Sequence, residues 1–206
     1  VESSVPDHDV ATVTAQLGRP PRAMVAVAAR CVCGRPTVVR TAPRLPDGTP
    51  FPTTYYLTCP PAVAAVSTLE AGGLMRELTG RLGDDQVLAA AYQRAHEAYL
   101  ADRAELGDVP EIAGVSAGGM PTRVKCLHVL VAHALAAGPG TNPIGDEVLA
   151  MLADTWSPDR CRCPANKAPT ADQAAHPAKT ADPAPTHPAK TADQALADQA
   201  QAGTTR

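Results

Sequence analysis

Apolar positions along the chain fall into extended runs first and helical repeats afterwards. Val10, Val13 and Leu17 recur at i, i+3 and i+7 between the cap-like Pro6-Asp7-His8-Asp9 and Gly18, the spacing of a short amphipathic helix. Residues 24–30, 37–41 and 54–58 are β-branched, small or aromatic and read as strands. Cys31-Val32-Cys33-Gly34 and the Pro- and Gly-rich stretch 43–52 separate them. Beyond Pro61 the apolar period becomes helical over 62–70, 74–82, 84–105, 121–137 and 143–155, with glycines between the segments. Strands followed by helices predict an α+β domain, with a small N-terminal β-sheet of about three strands packed with about five helices.

The pattern ends near residue 164. Residues 164–206 hold one large aliphatic side chain, Leu196, and no aromatic one. His176-Pro-Ala-Lys-Thr-Ala-Asp182 recurs as His187-Pro-Ala-Lys-Thr-Ala-Asp193, an 11-residue period. Such a stretch cannot bury enough apolar surface to offset the entropy of ordering it, so it reads as a disordered C-terminal tail. A single domain over 1–163 remains, long enough for a real core.

Composition narrows the function classes. Eighteen basic side chains stand against 21 acidic ones, a net charge of −3, which argues against nucleic-acid binding by bulk charge. No purely apolar run, the stretch 24–29 included, approaches the roughly 20 residues of a membrane span. No basic start and apolar stretch of a secretion signal opens the sequence, so a cytoplasmic location is expected.

Three constellations carry candidate chemistry. Tyr92, His96, Tyr99 and Arg103, spaced 4, 3 and 4, form one stripe down helix 84–105. They are either a half-buried edge or one wall of a polar pocket, with His96 as general base and Arg103 as anion clamp. Gly118-Gly119 followed by Pro121, Arg123 and Lys125 suggests free amides and added charge at the start of a helix, a place for an anion. The Walker and dinucleotide fingerprints are both missing there. On the same helix His128 sits within the apolar stripe of Val124, Val131 and Leu135, the usual place of a core histidine bonded to a carbonyl. Six cysteines form the third group. Cys31, Cys33 and Cys59 could supply three donors of a zinc site, with Cys126, His128 or His96 as the fourth, against the alternative of buried inert thiols. Cys161-Arg162-Cys163, at the edge of the tail, reads as an exposed redox-sensitive pair.

Thr41-Ala-Pro-Arg-Leu-Pro-Asp-Gly-Thr-Pro-Phe-Pro-Thr-Thr-Tyr-Tyr-Leu-Thr58, Ser116-Ala-Gly-Gly-Met-Pro121, Arg123-Val-Lys-Cys-Leu-His128 and Gly138-Pro-Gly-Thr-Asn-Pro-Ile-Gly-Asp146 are distinctive. Together they resemble the bacterial, mainly actinobacterial, family called domain of unknown function 501, over about residues 7–155. The resemblance places motif positions at Arg44, Asp47, Tyr55, Tyr56, His96, Arg123, Lys125, Cys126, His128, His133, Asn142 and Asp146. It implies no activity, because that family is uncharacterised. Its gene neighbourhood, which includes a septum-formation initiator and a phosphatase, hints at cell division or phosphate metabolism.

Two functions follow as expectations. One is a protein that binds, or acts on, a small anionic or phosphorylated ligand. Arg44, Tyr92, Tyr99, Arg103, Gly118, Gly119, Arg123 and Lys125 would hold the ligand, His96 or His128 would move protons, and Asp47 or Asp146 would orient a histidine or a metal. The other is a non-catalytic module for a partner protein, stabilised by zinc through Cys31, Cys33, Cys59 and Cys126.

Overall fold

A computed structural model describes residues 5–164. The repeated tail lies outside the described residues, apart from its first position, Pro164. Six α-helices and a three-stranded antiparallel sheet form an α+β fold. Helix α1 (Asp7–Leu17) opens with Asp7 and Asp9 at its positive end and closes on Gly18 in the left-handed conformation. The Asp9 carboxylate is buried, and Arg30 answers it with two hydrogen bonds of 2.8 and 2.7 Å, tying α1 to the sheet.

Strands β1 (Met24–Arg30), β2 (Pro36–Thr41) and β3 (Tyr55–Leu57) lie in that order. Val27 pairs with Val39, and Val39 with Tyr56. The central strand β2 is the most enclosed, with Val38 and Val39 fully covered. A tight turn at Cys31–Arg35 joins β1 to β2, with Gly34 at φ +85°.

The helices follow: α2 (Pro60–Ala71), α3 (Leu74–Asp84), α4 (Gln86–Ala104), α5 (Leu127–Ala137) and α6 (Pro143–Leu152). Pro60 and Pro61 occupy the first turn of α2, where a missing N–H leaves no bond unmade. Asp85 caps α4 by accepting from the amides of Val87 and Leu88, and Asn142 caps α6 through Gly145. Helix α5 is apolar on nearly every side and is the central helix, packed on β3, α2 and α6. A Cβ on Gly145 would come within 2.3 Å of the Leu130 carbonyl oxygen, so only glycine lets α6 approach α5 this closely.

The expected helix over 121–137 begins six residues later, at Leu127. The amides of Arg123 and Lys125 turn back to the carbonyls of Gly119 and Gly118, and the Val124 amide is taken by the Thr79 hydroxyl at 2.9 Å. With those donors engaged elsewhere, 116–126 is an irregular loop rather than a first helical turn.

Candidate functional site

The polar stripe of α4 faces inward. Tyr92, His96, Tyr99 and Arg103 are all buried. The Tyr92 hydroxyl donates to the Arg123 carbonyl at 3.2 Å, and His96 Nδ1 meets Ser116 Oγ at 2.8 Å. Arg103 donates to the carbonyls of Val115, Ile112 and Pro52 at 2.5, 2.8 and 3.3 Å. The Tyr99 hydroxyl accepts from the Thr54 amide at 2.6 Å. Three of the four side chains therefore pin the long 107–126 connection onto α4, and the fourth holds the start of β3. Burial lowers the affinity of both His96 and Arg103 for a proton. The expected pocket wall, with His96 as base and Arg103 as anion clamp, is corrected accordingly. These groups are the internal frame of the loop, which they hold through its carbonyls and the Ser116 hydroxyl.

The other expected ligand groups separate. Arg44 is paired with Glu111 through hydrogen bonds of 2.9 and 2.8 Å and also donates to the Gly48 carbonyl, closing the 43–52 loop on itself. Asp47 accepts from the Thr49 amide at 2.9 Å, which holds its carboxyl below the usual range, and it orients no histidine among the described residues. Gly118 and Gly119 have left-handed backbones packed tightly against neighbours. A Cβ on Gly118 would lie 2.7 Å from Val129 Cγ1, and one on Gly119 would lie 2.6 Å from the Arg123 carbonyl oxygen. They seat the loop, in place of the anion nest expected at a helix start. Arg123 and Lys125 are exposed.

One cluster of the expected residues does assemble, at the start of α5. Cys126 is its N-cap, His128 stands in its first turn, and Glu70 reaches over from α2. Glu70 Oε1 accepts from the Leu127 amide at 2.6 Å, so a carboxylate covers the positive end of α5. His128 Nδ1 lies 3.1 Å from the same oxygen and 3.9 Å from Cys126 Sγ. Its Nε2 lies 3.2 Å from the Val63 carbonyl and 3.2 Å from Ser67 Oγ. A carbonyl only accepts, and a carboxylate facing Nδ1 favours a proton there, so the ring is an imidazolium carrying both protons. Its pKa is pushed up to about 9, chiefly by the bond with Cys126 and then, against the opposing effect of burial, by the charge of Glu70. Cys126, Glu70 and His128 also present three donor atoms within 4.8 Å of one another, a set that could hold a metal.

Glu70 links this cluster to an open groove of about 460 Å³ between α2, α3 and the 116–126 loop. Met75, Thr79 and Val124 line it together with the charged Arg76 and Lys125. Arg76 and Lys125 have no ion-pair partner among the described residues, whereas Arg30, Arg40, Arg44 and Arg81 each pair with a carboxylate. Of the residues expected to line a cleft with the 43–54 loop and the α4 stripe, Lys125 alone lines this groove; Arg44 and Arg103 stand elsewhere, and His128 lies behind Glu70. Nothing local marks Glu70 or Arg76 in the sequence, because their meeting with Lys125 depends on how α2 and α3 pack.

The expected zinc donors do not come together. Cys59 is wholly enclosed in the core, and Cys126 belongs to the Glu70–His128 cluster. Cys31 and Cys33 instead stand with Cys161 and Cys163, their four sulfurs all within 4.8 Å of one another. Cys163 is partly buried against the core. The exposed pair expected at 161–163 is therefore part of a larger thiol group.

No described helix is long and apolar enough to cross a membrane. No curated protein and no solved structure matches the sequence. The family model described as a protein of unknown function (DUF501) matches residues 27–150, more than half of the chain, and the protein belongs to that family.

Proposed function

We propose that the protein binds a small anionic ligand of the phosphorylated-metabolite class in the groove between α2, α3 and the 116–126 loop. The carrying observation is the uncompensated positive charge there: Arg76 and Lys125 flank one opening and have no carboxylate partner among the described residues. Around 300–1,000 Å³ is the usual size of a small-molecule site, and about 460 Å³ falls within it. Arg76 offers a planar fork that suits phosphate oxygens, and Lys125 a mobile point charge. The His128 imidazolium adds a third positive charge at the Glu70 end, where it balances the one carboxylate in the lining. Glu70 is itself occupied by the Leu127 amide and His128, which limits its repulsion of an anion. The His128 imidazolium and the Cys126 thiol stand behind Glu70 at that end of the groove.

Calorimetric titration of the full chain with inorganic phosphate and pyrophosphate tests the reading. Binding should weaken as salt rises. Arg76→Ala and Lys125→Ala should each lower affinity by about tenfold, the worth of one charge-assisted contact of roughly 1.4 kcal/mol. Arg44→Ala, which removes a group already paired with Glu111, should leave affinity unchanged. Equal affinity in the Arg76→Ala/Lys125→Ala double variant would refute the assignment.

A further inference from the structure

The chain carries the sequence Cys-x-Cys twice, once in the turn after β1 and once beyond α6, and the fold brings the two together. We propose that Cys31, Cys33, Cys161 and Cys163 form a structural zinc site that clips residues 157–164 onto the β1–β2 turn. Zinc bound by four thiolates has Zn–S distances of about 2.3 Å, which places tetrahedral sulfurs roughly 3.8 Å apart. All four sulfurs already lie within 4.8 Å of one another, so a small inward movement closes the set. Two separate disulfides would require proximity within each pair only. Mutual closeness of all four is what a single central ion demands.

The backbone around the sulfurs is held by its own hydrogen bonds. Gly34 N–H donates to the Cys31 carbonyl at 2.7 Å, and Cys31 N–H to the Arg35 carbonyl at 2.9 Å, which curls the turn so that both sulfurs face one side. Opposite them, Cys161 and Cys163 are two apart in non-helical chain, a spacing that puts both side chains on one face of an extended segment.

The segment that supplies the second pair has few other attachments. Trp156 is buried, and beyond it Cys163 is the hydrophobic side chain that packs on the core among the described residues. Val32 N–H donates to the Pro158 carbonyl at 2.9 Å, and Arg35 Nη1 to the Pro164 carbonyl at 2.5 Å. Arg160 and Arg162 donate to the carbonyls of Ala153 and Asp154 as well, and hydrogen bonds of this kind at an exposed surface are modest beside the entropy of ordering eight residues, roughly 1–2 kcal/mol each. A metal bound by four thiolates supplies the missing stabilisation. It would carry a net charge of about −2, with Arg160 and Arg162 alternating with Cys161 and Cys163 beside it. Four protein donors leave no open coordination position, so the role is structural rather than catalytic. Cys161 and Cys163 lie beyond residue 150, outside the span matched by the family model.

The test is elemental analysis of the full chain, purified under reducing conditions without a metal-affinity step. One zinc per chain is expected. Cobalt(II) added to the metal-free chain should give the visible and ultraviolet bands of a tetrahedral tetrathiolate. Cys161→Ser/Cys163→Ser should abolish both signals, whereas Cys59→Ala and Cys126→Ser should retain them. Peptide-level alkylation of the unmutated protein gives a second readout that does not depend on any variant folding. Cys31, Cys33, Cys161 and Cys163 should be protected until a chelator is added and then react together. Zinc that survives the 161/163 double variant, zinc lost on Cys126→Ser, or a metal-free chain with these four cysteines freely alkylated or paired as disulfides would each overturn the proposal.

Discussion

Replacing His128 by glutamine removes a positive charge whose contribution to stability has a definite sign and pH window. In the folded chain the imidazolium is held by Cys126, Glu70 and the Val63 carbonyl, and its pKa is pushed up to about 9. An unfolded histidine titrates near 6.5. Between those values the folded state binds a proton that the unfolded state has released, so folding is favoured by holding it. This contribution is fully present below about pH 6.5 and is lost as pH rises through about 9. A shift of about 2.5 units corresponds to roughly 3 kcal/mol. The side chain is 24% exposed, and solvent screening brings the expected figure down to about 1–2 kcal/mol. Urea unfolding of the full chain, followed from about pH 6 to about pH 10, should show an alkaline decline of this size, and His128→Gln should flatten it. Side-chain nitrogen NMR should find both ring nitrogens of His128 protonated at neutral pH. Cys126→Ser removes the largest cause of the shift and should move the midpoint back towards 6.5. If His128→Gln leaves the alkaline limb intact, or the ring is neutral at pH 7, the imidazolium assignment is wrong.

His133 has the opposite sign. It is fully buried, Asn142 Nδ2 donates to its Nδ1 at 3.2 Å, and burial pulls its pKa down to about 4. Its contribution is present above about pH 6.5 and is lost as pH falls through about 4, roughly 3 kcal/mol in all. NMR titration should place its midpoint near 4, well below the roughly 6.5 of an unfolded histidine. Arg103→Met leaves the carbonyls of Ile112, Val115 and Pro52 without their donor and should cost about 3 kcal/mol or more, read by chemical denaturation. A variant that melts normally but no longer binds pyrophosphate would instead make Arg103 an anion clamp. Gly145→Ala drives a methyl group into the Leu130 carbonyl and should destabilise by about 3 kcal/mol, with α5 and α6 forced apart; an unchanged melting point would deny their close approach.

Local chemistry alone determined most of the elements. Strand 24–30 is found with the same bounds, and the helices after Pro61 stand close to where their apolar period and glycine stops put them. The stripe of Tyr92, His96, Tyr99 and Arg103 was legible because helical spacing fixes which residues share a face. Spacing does not say whether that face meets water or a loop. The carbonyls of residues 112–123 decided the matter by taking up donors that an isolated helix would offer to a ligand. The late start of α5 was hidden for a similar reason, since the hydroxyl that holds the Val124 amide belongs to Thr79, on α3. The groove is a tertiary product throughout: Glu70, Arg76 and Lys125 come from α2, α3 and a loop. Each Cys-x-Cys was visible by itself, but only the return of the chain after α6 joins the two pairs. Sequence fixes side-chain periodicity within an element because backbone geometry is local. It leaves open which elements meet, because that depends on the packing of the whole core.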